Sequence, residues 1–373
     1  MGVRGRGRKC ATSRARSHMA LRNASAKLGS PMHCTLLIPD LLPPSELGAD
    51  PYAELRLPCL GMLLARGETI RRAPLAGEDW LCERFGVPRQ HDRPLAALML
   101  KADGGEPRHY YWLCAEPIQL RVDRSRLIVA ARVSDYTAAD AGELIAALNR
   151  HFGADGIEFS APTPARWYVR TQRAPVLTST PLMEALNRSV KHHLPQGADA
   201  LTWHRVMNEA QMILHEHHVN TAREALGATT ANSIWLWGGG TLPEISRPSY
   251  TAAWGGGQVT RALAVAAGIA HHELPANGAA WLAAASAGDH LVVMDGPAQA
   301  LRDGDVAAWQ DRLIEIDSQW MQPLLNALRE KAVARITIIA CNRENLLETT
   351  VTRANLRKFW RRVRPLASYA DNA

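Results

Sequence analysis

Six cysteines are all this 373-residue sequence carries, and Cys10, Cys34, Cys59, Cys82, Cys114 and Cys341 form no Cys-x-x-Cys pair. That spacing excludes a disulfide framework and a zinc ribbon, and predicts a reduced, cytoplasmic protein. No apolar run is long enough to span a bilayer, no internal repeat recurs, and the start lacks the apolar stretch of a secretory signal. Acid is missing from the first thirty residues, which hold Arg4, Arg6, Arg8, Lys9, Arg14, Arg16, Arg22 and Lys27. Taking those eight from the 43 Lys and Arg leaves 35 against 36 Asp and Glu, so the net charge of +7 belongs to the tail. The body offers no polyanion footprint. We therefore expect residues 1–31 to be a basic disordered tail, nucleic acid to be no partner outside it, and no membrane partner.

What is present is an ordinary globular composition, 47% apolar and 21% charged. His33-Cys-Thr-Leu-Leu-Ile-Pro-Asp40 reads as a buried strand that delivers Asp40 to a loop. Leu57–Gly67 reads as a helix and Tyr110–Cys114 as a short strand. Strands over Gln119–Val122, Arg126–Val133, Ile157–Ser160 and Trp167–Thr171 surround an amphipathic helix, Ala138–Phe152. A helical spacing over 200–226 precedes a strand at Ser233–Trp237 and a glycine run, Gly238 to Gly240. Helices near Val259–Ala267 and Val306–Leu328 then alternate with strands at His290–Met294 and Ala334–Ala340. Alternation of this kind predicts an α/β fold with a mostly parallel sheet flanked by helices. The division predicted is a core over 32–117 and 177–352, an inserted α+β cap over 118–176, and a basic C-terminal helix over 353–373.

Three clusters suggest chemistry. His215, His217 and His218 fall near one another on a helix and have metal-ligand character, but the pattern is not His-Glu-x-x-His, and exposed helix positions account for them equally. Gly238, Gly239 and Gly240 follow an apolar strand and could cradle an anion with backbone N–H groups, yet the Lys-Ser/Thr of a P-loop is absent. Close packing explains them as well. The run Arg353 to Arg364 carries six basic residues beside an apolar stripe of Leu356, Phe359, Trp360 and Val363, a pattern that could dock on a membrane surface or nucleic acid, although an amphipathic helix folded back on the domain is the favoured reading.

The block from His217 to Pro243, including Asn220, Arg223 and Ala231-Asn-Ser-Ile-Trp-Leu-Trp-Gly-Gly-Gly240, resembles a long motif of the archaeal-type, cofactor-independent phosphoglycerate mutases. Those enzymes belong to the alkaline phosphatase superfamily. Leu36-Leu-Ile-Pro-Asp40 resembles the family's first strand and its metal-binding Asp, and Leu57-Pro58 with Leu63 to Gly67 resembles the helix that follows. Tyr111-Trp-Leu-Cys-Ala-Glu-Pro117 and Ile38 to Pro44 are more similar to a bacterial branch of RpfE-type regulatory proteins. The resemblance implies an alkaline-phosphatase-like fold. It also implies a chemistry in which a Ser or Thr nucleophile carries a phosphoryl group between two divalent metals.

The residues for that chemistry are missing. No Ser or Thr occurs between Ile70 and Arg124, and the nucleophile position falls at Gly77 or Glu78. The family's Asp-Glu-Ala-x-His motif falls on Ala298 to Arg302. Its later Asp-His pair falls at Cys341-Asn342, with no Asp or His between Asp317 and Asp371. Asp40 alone matches as a metal ligand. The expectation is a catalytically degenerate, RpfE-type regulatory or binding protein without cofactor. The alternative is an active phosphoglycerate mutase or phosphohydrolase with two divalent metal ions and a site relocated to His215, His217 or His218. A small phosphorylated ligand is the expected partner, its anion near Gly238 to Gly240, with Arg166, Arg170, Asn220 and Arg223 as contacts; the resemblance places Arg166 and Arg170 at the family's Tyr-Arg motif. No protein partner is indicated.

Overall fold

A computed structural model describes residues 31–370 apart from 46, 48, 49 and 125, so the tail lies, but for its last residue, outside the described chain. Twelve described strands fall into two sheets. The larger is made of β1 (His33–Pro39), β2 (Glu68–Arg72), β8 (Ala252–Gly255), β9 (Ala270–His272), β10 (Asp289–Val293), β11 (Arg335–Cys341) and β12 (Leu346–Thr352), in the order β2-β12-β11-β1-β10-β8-β9. From β11 to β9 all neighbours are parallel, while β12 and β2 add an antiparallel edge. Alternation across β1 explains its continuous apolar run: Cys34, Leu36 and Ile38 enter one core cluster and Leu37 the other. Both faces are covered, so neither needs polar residues.

The second sheet is antiparallel and larger than the expected cap. It holds β3 (Tyr111–Asp123), β4 (Arg126–Arg132), β5 (Ile157–Thr163) and β6 (Arg166–Thr171), and β7 (Ser233–Gly240) pairs with β3. The strand at Tyr111 and the tryptophan-rich strand before Gly238 therefore belong with the insert and not with the core sheet. Trp235, Leu236 and Ile234 are fully buried there. The helix Leu95–Ala102, apolar and buried from Leu95 to Leu100, bridges the lobes by packing on β3 and β7 and on the helix Gly257–Ala267.

Two expected helices are corrected first. The helical segment 200–226 breaks at His217, whose extended backbone ends Ala200–Glu216 and caps His218–Ala225 through its ring nitrogen. The basic C-terminal helix does not form: residues 353–370 make short 3-10 turns at Asn355–Arg357 and Leu366–Tyr369. Their backbone and side chains are instead tied to neighbouring elements, Arg66 donating to the Leu356 carbonyl at 2.9 Å and Arg361 to that of Gly67 at 2.7 Å.

A π-helical stretch, Ile316–Met321, interrupts the helix expected over 306–328. The wider turn places Asp317 at the start of the helix Pro58–Arg66, where its carboxylate accepts from the amides of Leu60 at 2.6 Å and Cys59 at 3.3 Å. That helix lacks a capping side chain of its own, so Asp317 supplies the cap from afar.

Candidate functional site

In a parallel sheet the carboxyl ends of the strands face one crevice, and ligands gather there. Here β1 ends on Asp40, β10 runs into Met294 and Asp295, and β11 runs into Asn342. The helix Gly77–Arg84 begins directly above them: a Cβ on Gly77 would lie 3.1 Å from Pro39 Cγ and 3.7 Å from Cys341 Sγ, so glycine lets the helix approach. Its next residue, Glu78, is thereby carried over the ends of β1 and β11. The helix Gly296–Arg302 brings Arg302 back from β10.

These residues interact electrostatically. Burial pushes the Asp40 carboxyl up to about 6, against the lowering pull of Arg302, a hydrogen bond from Asn342 and the charge of Arg188. Glu78 is pushed up to about 7 by burial, with Asp295 adding to the rise and Arg302 opposing it. Asp295 is raised by burial and restrained by Arg302. Arg302 is thus the common counter-charge of three carboxyls. It donates one bond to Gln299 at 3.1 Å, while its buried Nε has no hydrogen-bond partner. Asp40 sits at φ 55°, a left-handed conformation, held by its amide to the Cys341 carbonyl at 3.0 Å and by Trp309, which donates to its carbonyl at 2.8 Å.

The structure therefore enlarges the acidic site expected from Asp40 alone. Glu78 and Asp295 join it. The pattern that singled out Asp40, a buried strand ending on an acid, was equally present at Asp295. Glu78 stands where the nucleophile was expected.

The other expected residues lie elsewhere and do not surround one cleft. Arg166 is paired with Asp103, which also accepts from Tyr168 at 2.6 Å. Arg170 is paired with Glu158 and lies 3.9 Å over the Tyr110 ring. Asn220 is buried and fully used: it accepts from Tyr136 at 2.6 Å and donates to the carbonyls of Leu214 and Ala231. Arg223 donates to Asp135 at 2.6 Å and to the Thr229 carbonyl, over the Tyr136 ring. The register does set Arg170 and Gly240 on either side of Trp112. The glycines, however, are buried in β7: Gly238 donates to Ser179 Oγ, a Cβ on Gly239 would lie 2.3 Å from the Tyr111 hydroxyl, and one on Gly240 would lie 2.4 Å from Pro94 Cβ. Close packing, not an exposed anion cradle, is what these glycines permit here.

His215 and His218 are exposed in the second lobe, with His218 2.7 Å from Glu143 and stacked on His217. Among the described residues no three His, Cys, Asp or Glu stand close enough to hold a metal ion together.

Comparison with known proteins sharpens this picture. Residues 118–220 match the family described as 2,3-bisphosphoglycerate-independent phosphoglycerate mutase. An enzyme of that name from Methanothrix thermoacetophila is 40% identical over 68 residues, 18% of this chain and 17% of the relative. A second, from Methanothermobacter thermautotrophicus, is 29% identical over 195 residues, 46% of this chain and 48% of the relative. The chain thus matches less than half the length of these relatives. The structure of the PH0037 protein from Pyrococcus horikoshii overlays with a TM-score of 0.55 at 14% identity, covering 87% of this chain and 88% of that one, a likeness of fold. The α/β core with its second sheet is alkaline-phosphatase-like.

Proposed function

We propose that this phosphoglycerate-mutase-like chain is a catalytically degenerate member of its group, a cytoplasmic regulatory or binding protein of the RpfE type. The observation that carries this reading is Arg302 among Asp40, Glu78 and Asp295. Divalent metals need deprotonated oxygen or nitrogen ligands, and Arg is never one of them because its guanidinium stays protonated. A fixed cation opposing the same three carboxyls repels a metal that would use them. The donor set thus does not fit a pair of divalent ions. Nor does the stretch from Ile70 to Arg124 hold a Ser or Thr to carry a phosphoryl group: Glu78 offers a carboxyl where the resembled motif would place the nucleophile, and phosphate-ester chemistry is too slow to proceed without its electrostatic apparatus.

The ligand of this reading is a small phosphorylated molecule, met by Arg188. That exposed guanidinium lowers the Asp40 carboxyl from the second lobe and makes no close ion pair among the described residues. The opposing reading, an active mutase or phosphohydrolase with two divalent metals, would have to use Asp40 with Glu78 and Asp295, carboxyls that share the counter-charge of Arg302. The experiment is elemental analysis after dialysis against manganese and zinc, run beside a mutase assay and a calorimetric titration with 3-phosphoglycerate. No stoichiometric metal and no turnover are expected. Two metals per chain, or turnover abolished by Asp40→Ala, would sink the degenerate reading.

A further inference from the structure

The C-terminal segment exposes what its sequence was expected to bury. Phe359 is 79% exposed, Trp360 66% and Val363 52%, and the two rings touch edge to face at 5.4 Å. Loose chain does not explain this. Lys358 is held to Glu68 at 3.1 Å, Arg361 to the Gly67 carbonyl, and Val363 lies against Gly61, where an added Cβ would meet it at 2.7 Å. The turn is pinned on both sides of the aromatic pair and presents it outward.

Charge surrounds the pair. Arg353, Arg357, Arg361, Arg362 and Arg364 are all exposed, and no Asp or Glu occurs between Glu348 and Asp371. Among the described residues, Arg353, Arg357, Arg362 and Arg364 have no acidic partner. The segment leaves β12 at Thr352, which pairs with Arg335 at the start of β11. It therefore lies at the opposite end of the sheet from Asp40 and serves a different purpose.

We infer that this turn is a docking surface for an anionic lipid membrane, with Phe359 and Trp360 entering the interface and the arginines meeting lipid phosphates. Surface binding of this kind takes two signals together, an apolar wedge and a basic patch, and both are here within one pinned turn. Trp favours the headgroup level, and Arg grips phosphate bidentately. The two rings lie edge to face, their planes at 79°, so the pair presents no parallel faces on which successive bases would stack. The expectation of no membrane partner rested on the lack of a spanning run and on a C-terminal helix folded back on the domain, and that helix does not form. No described helix is long and apolar enough to cross a membrane, which bears on spanning and not on surface binding.

The test is co-sedimentation of the full chain with vesicles of phosphatidylcholine, alone or with about 30% phosphatidylglycerol, at low and high salt. Binding is expected to the anionic vesicles only, weakening as salt rises. Phe359→Ser with Trp360→Ser should weaken it by at least about tenfold, and so should Arg362→Glu with Arg364→Glu. Thermal unfolding should not move, since all four side chains are exposed; the charge variant stands as the second test should the aromatic one misfold. The Arg-rich first thirty residues add charge of their own, so the deciding comparison is between the chain and these variants. Absence of binding to anionic vesicles, or equal binding by parent and variants, overturns the inference. So does capture of a single-stranded oligonucleotide that depends on Trp360 while vesicles are ignored.

Discussion

Two strand ends in this protein look alike in sequence and behave differently in space. β1 ends on Asp40 and β7 ends on three glycines; each follows a buried apolar run, and each suggests a ligand. At the end of β1 the parallel sheet gathers loops from β10 and β11 and a helix start, so the charges of Asp40, Glu78, Asp295 and Arg302 and the Asn342 amide influence one another. At the end of β7 the antiparallel second sheet and the bridging helix Leu95–Ala102 close over the chain, and only packing remains. A parallel sheet leaves its carboxyl edge open for chemistry, whereas a strand roofed by its neighbours does not.

The comparison breaks most readily at Gly239. Gly239→Val drives side-chain atoms into Tyr111 and Leu113, which lie 2.3 and 2.9 Å from the position of a Cβ, and should cost about 2–3 kcal/mol by overpacking. Urea denaturation checks it. A well-tolerated valine would mean that β7 has room after all, and would reopen the glycines as an anion site.

At the other strand end the effect should depend on pH. Arg302→Gln removes the counter-charge of three carboxyls, raising their folded-state pKa values further. The added destabilisation should be small near pH 5 and grow to about 1–2 kcal/mol at pH 8, below the cost of breaking a fully buried pair because the guanidinium is half-buried. Denaturation midpoints across that range would show it, and a pH-independent loss would mean that Arg302 acts by packing alone.

Glu78→Gln should act in the opposite direction. A carboxyl held at about 7 in the fold and near 4.5 when unfolded binds more protons folded, so its presence costs stability as pH rises from about 4.5 to about 7. The Gln variant should therefore match the parent in acid and exceed it, by about 1 kcal/mol, above neutrality. A parent and variant that track each other at every pH would show Glu78 to be solvated.

The smallest effect belongs to the arginines expected to grip a ligand. Arg223→Ala and Arg170→Ala lose internal ion pairs and ring contacts worth about 1 kcal/mol or less each. Neither should change a titration with 3-phosphoglycerate. A lost response would restore the second lobe as the ligand site.

Much of the fold was legible because its signals are local. The helix Ala138–Phe152 has the expected bounds, with Thr137 capping it and apolar residues spaced to one face. β1, β10 and β11 read as buried strands because both faces of a covered sheet are apolar. The C-terminal run failed for a physical reason: its apolar spacing is helical, but the backbone and side chains from Arg353 to Arg364 are held by Glu68, Gly67 and Gly61, contacts about 300 residues away in sequence. The site was half legible. Asp40 ended a strand and was noticed, while Glu78 gained meaning only when Gly77 let its helix start against Pro39 and Cys341.

The sequence by itself determined the strands, the main helices, the uneven charge and the absence of Ser and Thr between Ile70 and Arg124, since each is a matter of which residues occur and how they are spaced. Only the tertiary structure decided that β7 belongs to the second sheet, that Arg302 opposes three carboxyls, and that Phe359 and Trp360 face outward. Pairing, convergence and exposure depend on residues far apart in the chain, and no local pattern encodes where those residues meet.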